Sequence, residues 1–353
     1  MSGRFPWMTV RVGMFLACFS GSAWTADLPV ERWQGRTMGS PYTIQIVGTN
    51  LPSSALDELK AEVEARLKEI NRQMSHYQAD SELSRFNQAP ANTPFKVSPE
   101  FARVVRFALD LARRSGGAFD PTLGPVVNLW GFGEQTEQRV VPADSDLQAA
   151  LARTGHQHLA ITDRDELVKD LPGLTLNLSA VAKGFGVDEM IRLLVRHGYS
   201  NVYASIAGEV RVLGHNARGT RWQVGITEPV GNWREGDPMA AVASLADRAI
   251  STSGDYQKFF VDAQGRRLSH LFDPRTGRPV QNRVGGVSVV AADGMTADAL
   301  ATTLFVLGEE AGVKFIEAWP DAAAVFIVRD AEGAFHQVRS RGFVELAGLV
   351  VGD

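Results

Sequence analysis

Cysteine is almost absent from this sequence of 353 residues, because its one cysteine, Cys18, stands within the N-terminal segment. From residue 27 onward the chain therefore has no thiol that could form a disulfide or a thiolate zinc site. Beyond the N-terminal segment the sequence also lacks any run of roughly 18 or more apolar residues, which a membrane-spanning helix needs. Hydrophobic residues make up 44% and charged residues 22% of the chain, so we expect a soluble globular protein stabilised by core packing.

An excess of positive charge is missing as well. The chain has 36 Lys and Arg against 40 Asp and Glu, a formal net charge of −4, so its electrostatics do not favour nucleic acid as a partner. The Gly-x-Gly-x-x-Gly, Walker A, Gly-x-Ser-x-Gly and His-Glu-x-x-His motifs are also absent. Their absence disfavours the common dinucleotide-binding, NTPase, serine-hydrolase and zinc-protease classes.

The N-terminal segment has the pattern of a secretory signal peptide. Arg4 and Arg11 precede the apolar residues 12–20, and small residues follow at 21–23. We expect a signal peptide at 1–26 and a mature protein at 27–353, which folds as one domain or as two lobes. Cleavage of the signal is the favoured interpretation, and a lipoprotein signal ending at Cys18 is the alternative.

The periodicity of apolar residues predicts interspersed helices and strands. Helices are predicted at 53–75, from Ser98 as N-cap, within 177–198 after an extended start, and at 296–318. Strands are predicted at 37–47, at 174–178, through much of 201–290, and near 323–328 and 335–338. Because these elements do not alternate as in a doubly wound sheet, the predicted fold class is α+β, with mixed, largely antiparallel sheets flanked by helices.

Asp298 and Thr302 stand four residues apart near the start of the helix predicted at 296–318, so a carboxylate and a hydroxyl share one helix face. Two hard oxygen ligands of this kind suit Mg²⁺, which fills its remaining positions with phosphate and water. Considered alone, the pair is better explained by a carboxylate that complements the helix dipole and a threonine that bonds back to a carbonyl.

Four other polar residues have the chemistry to handle a phosphate or a proton. Lys183, in the first turn of a predicted helix, suits phosphate oxygens. Asp255, in a polar turn, suits a ribose or a nucleophile that must be positioned. His270 is matched to general-base work and Arg275 to phosphate. Each of these residues, taken alone, also has an ordinary structural explanation.

Seven segments together give a stronger signal than any one of them. They are TMGSPY at 37–42, MSHYQADSELSRFN at 74–87, AFDPTLGPVVNLWGFG at 118–133, SAVAKGFGVD at 179–188, TSGDY at 252–256, HLFDPRTGRP at 270–279 and MTADALATTLFVLG at 295–308. In this order they resemble the ApbE-type FAD:protein FMN transferase family along almost the whole chain after the N-terminal segment. The resemblance implies the flavin transferase fold of that family, FAD as substrate and Mg²⁺ as cofactor.

The resemblance also implies a site. FAD would lie in a cleft formed by residues from separate segments: Met38, Tyr77, Ala118, Phe119, Asp120, Asn177, Lys183, Phe272 and Arg275. Mg²⁺ would be held by the main-chain carbonyl of Ala180, the carboxylate of Asp298 and the hydroxyl of Thr302. His270 or Asp255 would accept the proton of an attacking hydroxyl, and the sequence does not choose between them.

The sequence departs from the family's pattern at three places. Asn177 stands where Asp is frequent, and SIAGEV at 205–210 stands where Gly-Gly-Asp is usual. Ala301 occupies a position where some members have Asp. These departures imply a weaker contact to the flavin nucleotide at Asn177 and a water in place of one metal ligand.

The implied activity is transfer of FMN from FAD to a Thr or Ser hydroxyl of another protein, with release of AMP. The acceptor would be an exported flavin-carrying subunit of a membrane redox complex, and the enzyme would work in the periplasm, with anchoring in the inner membrane if Cys18 is lipidated. Two alternatives remain. One is an FAD pyrophosphatase that uses water as acceptor, and the other is a non-catalytic periplasmic flavin-binding protein.

Overall fold

The computed structural model describes residues 27–133, 139–230 and 239–348. The predicted signal peptide at 1–26, with Cys18, lies outside the described residues. The described helices are α1 (Ser53–Met74), α2 (Glu82–Gln88), α3 (Pro99–Arg114), α4 (Gly124–Leu129), α5 (Asp144–Leu151), α6 (Ala182–Arg196), α7 (Gly294–Glu317) and α8 (Phe343–Ala347). The described strands are β1 (Val30–Thr37), β2 (Ser40–Val47), β3 (Phe95–Lys96), β4 (Leu159–Ile161), β5 (Glu166–Lys169), β6 (Val202–Ile206), β7 (Glu209–Leu213), β8 (Trp222–Thr227), β9 (Met239–Leu245), β10 (Ala249–Gly254), β11 (Phe259–Val261), β12 (Arg267–Ser269), β13 (Phe272–Asp273), β14 (Arg278–Pro279), β15 (Val284–Ala291), β16 (Ala323–Arg329) and β17 (Phe335–Arg339).

The largest sheet is antiparallel throughout. Among the described residues its strand order is β1-β2-β6-β7-β10-β15-β16-β17, and every neighbouring pair runs antiparallel. Helix α6 contacts β6 and β7, and α7 contacts β10 and β15. The α+β fold class, with largely antiparallel sheets flanked by helices, is therefore confirmed.

Strand β16 contributes to a hydrophobic cluster on each face of this sheet. Ala324, Phe326 and Val328 join the larger cluster, which includes residues of α1, α6 and α7. Val325 and Ile327 join the second cluster, which includes residues of β8 and α8. Side chains alternate between the two faces of a strand, so an almost continuous apolar run is buried on both faces. Helices α6 and α7 therefore lie on one face of a sheet that is also covered on its other face.

The strand predicted at 37–47 is wrong in its extent. Strand β1 begins at Val30, and a two-residue turn at Met38 and Gly39 leads from it into β2. Both turn residues have positive φ, 50° for Met38 and 71° for Gly39. Such turns match the twist of antiparallel strands. The apolar alternation did not reveal this turn because a methionine is not a usual residue at positive φ.

The strand predicted at 174–178 is also wrong. Alternate leucines of this segment are buried, as in a strand, but in the described chain its only ladder contact is a single bridge between Thr175 and Leu123. The side chain of Asn87 instead accepts a hydrogen bond from the amide of Leu176 at 2.7 Å and donates one to its carbonyl at 3.0 Å. A side-chain amide thus takes the place of a neighbouring strand.

The helices predicted at 53–75 and from Ser98 are confirmed as α1 and α3. The helix predicted at 296–318 is confirmed as α7, which is kinked at Gly308, where φ is 78°. The hydroxyl of Ser98 caps α3 by accepting a hydrogen bond from the amide of Phe101 at 3.4 Å. Within the residues that the structure describes, no helix combines the length and hydrophobicity of a membrane span.

Candidate functional site

Reciprocal hydrogen bonds join the N-terminal ends of α6 and α7. The carboxylate of Asp298, in α7, accepts a hydrogen bond from the amide of Gly184, in α6, at 2.9 Å. The carboxylate of Asp188, in α6, accepts hydrogen bonds from the amides of Gly294 at 2.7 Å and Met295 at 3.0 Å, in α7. A carboxylate at a helix start satisfies unpaired amides and complements the helix dipole. Each helix therefore supplies the anion that stabilises the start of the other.

Two glycines allow this close contact between the helices. A Cβ added to Gly184 would overlap the carbonyl oxygen of Gly294 and would lie 2.7 Å from the Cβ of Asp298. A Cβ added to Gly294 would lie 3.1 Å from a carboxylate oxygen of Asp188 and closer still to the carbonyl oxygen of Gly184. The two helix starts are thus as near as their backbones permit, which brings Asp298 into the neighbourhood of Lys183.

The Asp298 carboxyl group is buried, with 3% of the residue exposed. Burial raises its pKa to about 7, Lys183 opposes that change, and the carboxylate of Glu209 adds to it. Lys183 forms an ion pair with Glu209, at the start of β7. Although burial disfavours the charged form of Lys183, the carboxylates of Glu209 and Asp298 raise its pKa. Lys183 is therefore a charged residue whose partner is already a protein carboxylate.

The buried charges around Asp298 do not balance. Three carboxylates, those of Asp188, Glu209 and Asp298, are each at most 5% exposed. Two cations face them, because Arg211 pairs with Asp188 at 2.6 Å and Lys183 pairs with Glu209. One buried negative charge is left over, and buried charge is costly unless a cation or a shared proton neutralises it. The site therefore has an electrostatic reason to take up a cation.

The donor set beside this charge fits Mg²⁺. Within 27–133, 139–230 and 239–348, no group of three or more His, Cys, Asp or Glu side chains is arranged to hold a metal ion. Asp298 is one carboxylate, Ala180 lies just before α6, and the Thr302 hydroxyl lies 3.0 Å from the hydroxyl of Ser253. Mg²⁺ commonly uses one or two carboxylates and takes its other oxygens from phosphate and water. One carboxylate, one hydroxyl and one carbonyl oxygen are donors of the kind that Mg²⁺ takes, so the chemistry of these residues is compatible with that ion.

The two candidate bases lie in different surroundings. Both carboxylate oxygens of Asp255 accept hydrogen bonds from the guanidinium of Arg329, at 2.7 and 2.9 Å. The Nδ1 of His270 lies 3.1 Å from the carbonyl oxygen of Lys258. A carbonyl oxygen can only accept, so Nδ1 carries the hydrogen and the lone pair is on Nε2. Burial and then the charge of Lys258 lower the pKa of His270 to about 4, so the ring is neutral at pH 7.

A pocket of about 310 Å³ brings Tyr77 and Asn177 together. His76 and Asn128 also line it. The ring centroids of His76 and Tyr77 are 4.0 Å apart, and Tyr77 is 62% exposed. The Asn177 side chain accepts a hydrogen bond from the amide of Ser179 at 2.9 Å. An exposed aromatic ring beside polar groups suits a flat heterocycle, which can stack and form hydrogen bonds.

The turn at 118–120 is held by hydrogen bonds to the carboxylate of Asp120. Ala118 and Phe119 are buried. The carboxylate of Asp120 accepts hydrogen bonds from the amide of Thr122 at 2.8 Å and from the amide of His156 at 3.0 Å. Asp120 therefore fixes the shape of the turn, and its carboxylate is engaged in this structure.

The three remaining predicted residues lie in separate environments. The methyl group of Met38 lies 3.2 Å from the position that a Cβ on Gly186 would take, so Met38 contacts α6. Phe272 is buried within an aromatic cluster. Arg275 pairs with Asp273 through two hydrogen bonds, at 2.7 and 2.8 Å, and its side chain is 54% exposed. Met38 thus lies against the helix that carries Lys183, whereas Arg275 already has an acidic partner.

Three residues of this neighbourhood are not predicted from the sequence. Glu209 pairs with Lys183, yet its segment was noted only as a departure from a family pattern. Lys258 and His76 are single polar residues in loops, where no spacing marks them. The charge of Lys258 helps burial to lower the pKa of His76 to about 4, as it does for His270. These relations depend on tertiary contacts, so no local pattern in the chain marks them.

Comparison with known proteins gives consistent matches over nearly the whole described chain. The family model described as the ApbE family matches residues 38–326. The sequence is 42% identical over 310 residues to the FAD:protein FMN transferase of Vibrio cholerae, which covers 88% of this chain and 90% of that protein. The structure is similar to the flavin transferase ApbE from Vibrio cholerae, with a TM-score of 0.81, 41% identity, and coverage of 90% of this chain and 99% of that chain. It is also similar to the apo form of the flavinyl transferase ApbE from Pseudomonas stutzeri, with a TM-score of 0.81, 36% identity, and coverage of 91% and 98%.

Proposed function

The chain belongs to the ApbE family, and from this we propose that it is an FAD:protein FMN transferase, an enzyme that moves the FMN part of FAD onto another protein. One structural observation supports the location of the active site. The starts of α6 and α7 are held together by the hydrogen bond between Gly184 and Asp298. This contact brings a lysine and a buried carboxylate to one place, and the surrounding charge favours a cation.

We propose that the acceptor is a Thr or Ser hydroxyl of the target protein. The hydroxyl oxygen forms a bond to the phosphorus on the FMN side of FAD, and the bond from that phosphorus to the bridging oxygen breaks. The products are a phosphoester-linked flavin and AMP. The proton of the hydroxyl moves to Nε2 of His270, whose lone pair is available because Nδ1 is fixed at the carbonyl of Lys258.

We further propose that Asp298, Thr302 and the carbonyl of Ala180 hold Mg²⁺. Bound there with the pyrophosphate, the ion would neutralise negative charge that develops as AMP leaves. Lys183 and Glu209 hold each other in place next to Asp298. The protein thus contributes to the metal site a fixed, buried carboxylate whose negative charge is neutralised when the cation binds.

The remaining predicted residues form the proposed cleft for FAD. Tyr77 and Asn177 line one pocket and are proposed to contact a ring system of the dinucleotide. The turn at 118–120, Phe272 and Met38 are proposed to shape the walls of the cleft. Arg275 would need to leave Asp273 in order to bind a phosphate, so its proposed role includes that exchange.

We propose that the protein acts in the periplasm after export by the signal peptide at 1–26, with lipidation of Cys18 as the alternative to simple cleavage. The proposed target is an exported flavin-carrying subunit of a membrane redox complex. Mass spectrometry of exported proteins that are co-expressed with this chain tests both statements. A Thr or Ser that carries a phosphoester-linked flavin supports them, whereas flavin found only on cytoplasmic proteins contradicts them.

The direct test is to incubate the protein with FAD, Mg²⁺ and a candidate target. Covalent flavin fluorescence on the target supports transfer, free FMN without labelled target supports the pyrophosphatase alternative, and intact FAD supports binding alone. Asp298→Asn should remove Mg²⁺-dependent transfer, because the amide cannot supply the anionic ligand. Asp163→Asn, at an exposed position, is the matched control and should keep full activity. Equal activity of the Asp298 variant and the control would refute the metal assignment.

A further inference from the structure

Lys258 lies directly beside His270. It immediately precedes β11, and its carbonyl oxygen accepts two hydrogen bonds from His270, one from the backbone amide and one from Nδ1, each at 3.1 Å. Strand β11 pairs with β12, which ends next to His270. The backbone of Lys258 is therefore fixed to the residue proposed as the proton acceptor.

The Lys258 side chain differs in its contacts from Lys183 and Lys169, two other lysines near the site. Lys183 pairs with Glu209, and the ammonium of the buried Lys169 donates to backbone carbonyls, including those of Asn87 at 2.8 Å and Leu174 at 2.9 Å. Within the part of the chain that the structure describes, the Lys258 ammonium has no such hydrogen bond and no ion pair. An ammonium that is partly removed from water without an acceptor is unfavourable.

The charges around Lys258 are mostly of its own sign. Burial and then the positive charges of Lys183 and Arg139 lower the pKa of Lys258, and Glu209 opposes them. Glu209 is already paired with Lys183. Arg139 donates a hydrogen bond to the carbonyl oxygen of Phe259, the residue after Lys258, at 3.3 Å. Its guanidinium lies 4.8 Å from the centroid of Phe132, whose ring is 6.3 Å from that of His270. The charges of Lys258, Lys183 and Arg139 all act to lower the pKa of His270, and of these three cations Lys183 is already paired with Glu209.

A cluster of cations without a matching anion is typical of a site for a phosphorylated ligand. The sequence favours Lys183 for the phosphate contact, but Lys183 is paired with Glu209. Among the described residues the Lys258 ammonium has no fixed acceptor, and its charge acts on His270, the residue that would accept the proton during attack on phosphorus. Both observations favour the binding of an anion by the Lys258 ammonium.

We propose that the ammonium of Lys258 binds the pyrophosphate of FAD, in addition to the substrate-binding residues predicted from the sequence. This inference rests on the proposed function, because FAD is the phosphorylated ligand that this function supplies. Bound pyrophosphate would relieve the repulsion among Lys183, Lys258 and Arg139. It would also hold the phosphorus beside Nε2 of His270.

Binding measurements in EDTA test this inference without turnover. Wild-type protein and Lys258→Met are titrated with FAD, with ADP, which has the diphosphate without the flavin, and with riboflavin, which has the flavin without phosphate. We expect Lys258→Met to bind FAD and ADP about 10- to 100-fold more weakly, the loss expected for a charge-assisted hydrogen bond, and to bind riboflavin with unchanged affinity. Unchanged affinity for FAD and ADP, or an equal loss for riboflavin, would overturn the proposal.

Further variants separate charge from fold. Lys258→Arg keeps the charge and should retain most of the affinity for ADP, whereas Lys258→Gln should lose affinity as Lys258→Met does. If Lys258→Met does not fold, the Arg and Gln variants together test whether the charge of Lys258 binds the diphosphate. Lys314→Met, exposed near the other end of α7, is the matched control and should bind ADP like the wild type. If the wild type binds ADP through Lys258 but never labels a target, the proposed transferase function fails while this inference stands.

Discussion

The carbonyl oxygen of Lys258 decides which nitrogen of His270 carries a hydrogen. It lies 3.1 Å from Nδ1, so the neutral ring has its lone pair on Nε2. Asp255 has no comparable freedom, because Arg329 binds both of its carboxylate oxygens. The structure thus distinguishes the two candidate bases. His270 has a ring nitrogen available to accept a proton, whereas both oxygens of Asp255 are paired with Arg329.

His270→Asn should lower the kcat for FMN transfer by about 100- to 10,000-fold, the usual contribution of a positioned general base. Asp255→Asn should change kcat little. It should reduce the free energy of unfolding by about 1–2 kcal/mol, because it leaves the Arg329 guanidinium without its ionic partner. Steady-state kinetics and urea denaturation of both variants check this prediction. A large loss of kcat in the folded Asp255 variant, with full activity in the His270 variant, would reverse the assignment.

At the scale of elements, the site depends on how closely α6 approaches α7. Each helix start is stabilised by a carboxylate of the other helix. The approach leaves no room for a side chain at Gly184 or Gly294. The position of Asp298 is therefore a property of the helix pair, and a change in the distance between the helices moves the carboxylate.

Gly184→Ala should destabilise the protein by about 1–3 kcal/mol, because the added methyl group is forced into a filled space. It should also weaken Mg²⁺-dependent transfer, since the helices must separate at Asp298. Gly342→Ala is the control, because a Cβ there would meet only ordinary van der Waals contacts at 3.9 Å or more. Thermal melts and transfer rates of both variants are the measurements, and equal behaviour would show that the contact between the helices is not tight.

At the scale of the whole molecule, buried titratable groups link stability to pH in two directions. Burial and then the charge of Lys258 lower the pKa of both His76 and His270 from 6.5 to about 4. Below pH 6.5 the unfolded chain therefore binds protons that the folded chain does not. The stability that these histidines contribute is complete above pH 6.5 and is lost as the pH falls towards 4. Asp298 acts oppositely, because its pKa is raised to about 7 and its contribution is lost as the pH rises from about 4 to 7.

In EDTA, the two histidines and Asp298 should affect the change in melting temperature between pH 7 and pH 5 in opposite directions. Removing a histidine, by His76→Asn or His270→Asn, should make the protein lose less stability on acidification than the wild type loses. Asp298→Asn should make it lose more, because the compensating carboxyl group is gone. Calorimetry of the three variants at both pH values gives the comparison. The same pH dependence in all of them would show that the three groups titrate alike in the folded and unfolded chains.

The sequence alone determined the main helices, the fold class and most of the residues proposed for the site. Amphipathic spacing and caps are local properties, so α1, α3 and α7 could be read directly, including the cap at Ser98. Seven motifs in order identified the family that the comparisons then showed. Local pattern failed at Met38, where a turn interrupts an alternating run, and at 174–178, where the side chain of Asn87 replaces a strand.

Only the tertiary structure decided which polar groups are engaged with one another. Glu209 forms an ion pair with Lys183, and Arg329 forms one with Asp255. The carboxylate of Asp188, in α6, stabilises the start of α7, and that of Asp298, in α7, stabilises the start of α6. In the described part of the chain, the same packing leaves the Lys258 ammonium without a fixed acceptor. Pairing, burial and electrostatic repulsion act through space between segments far apart in the chain, so no spacing in the sequence reports them.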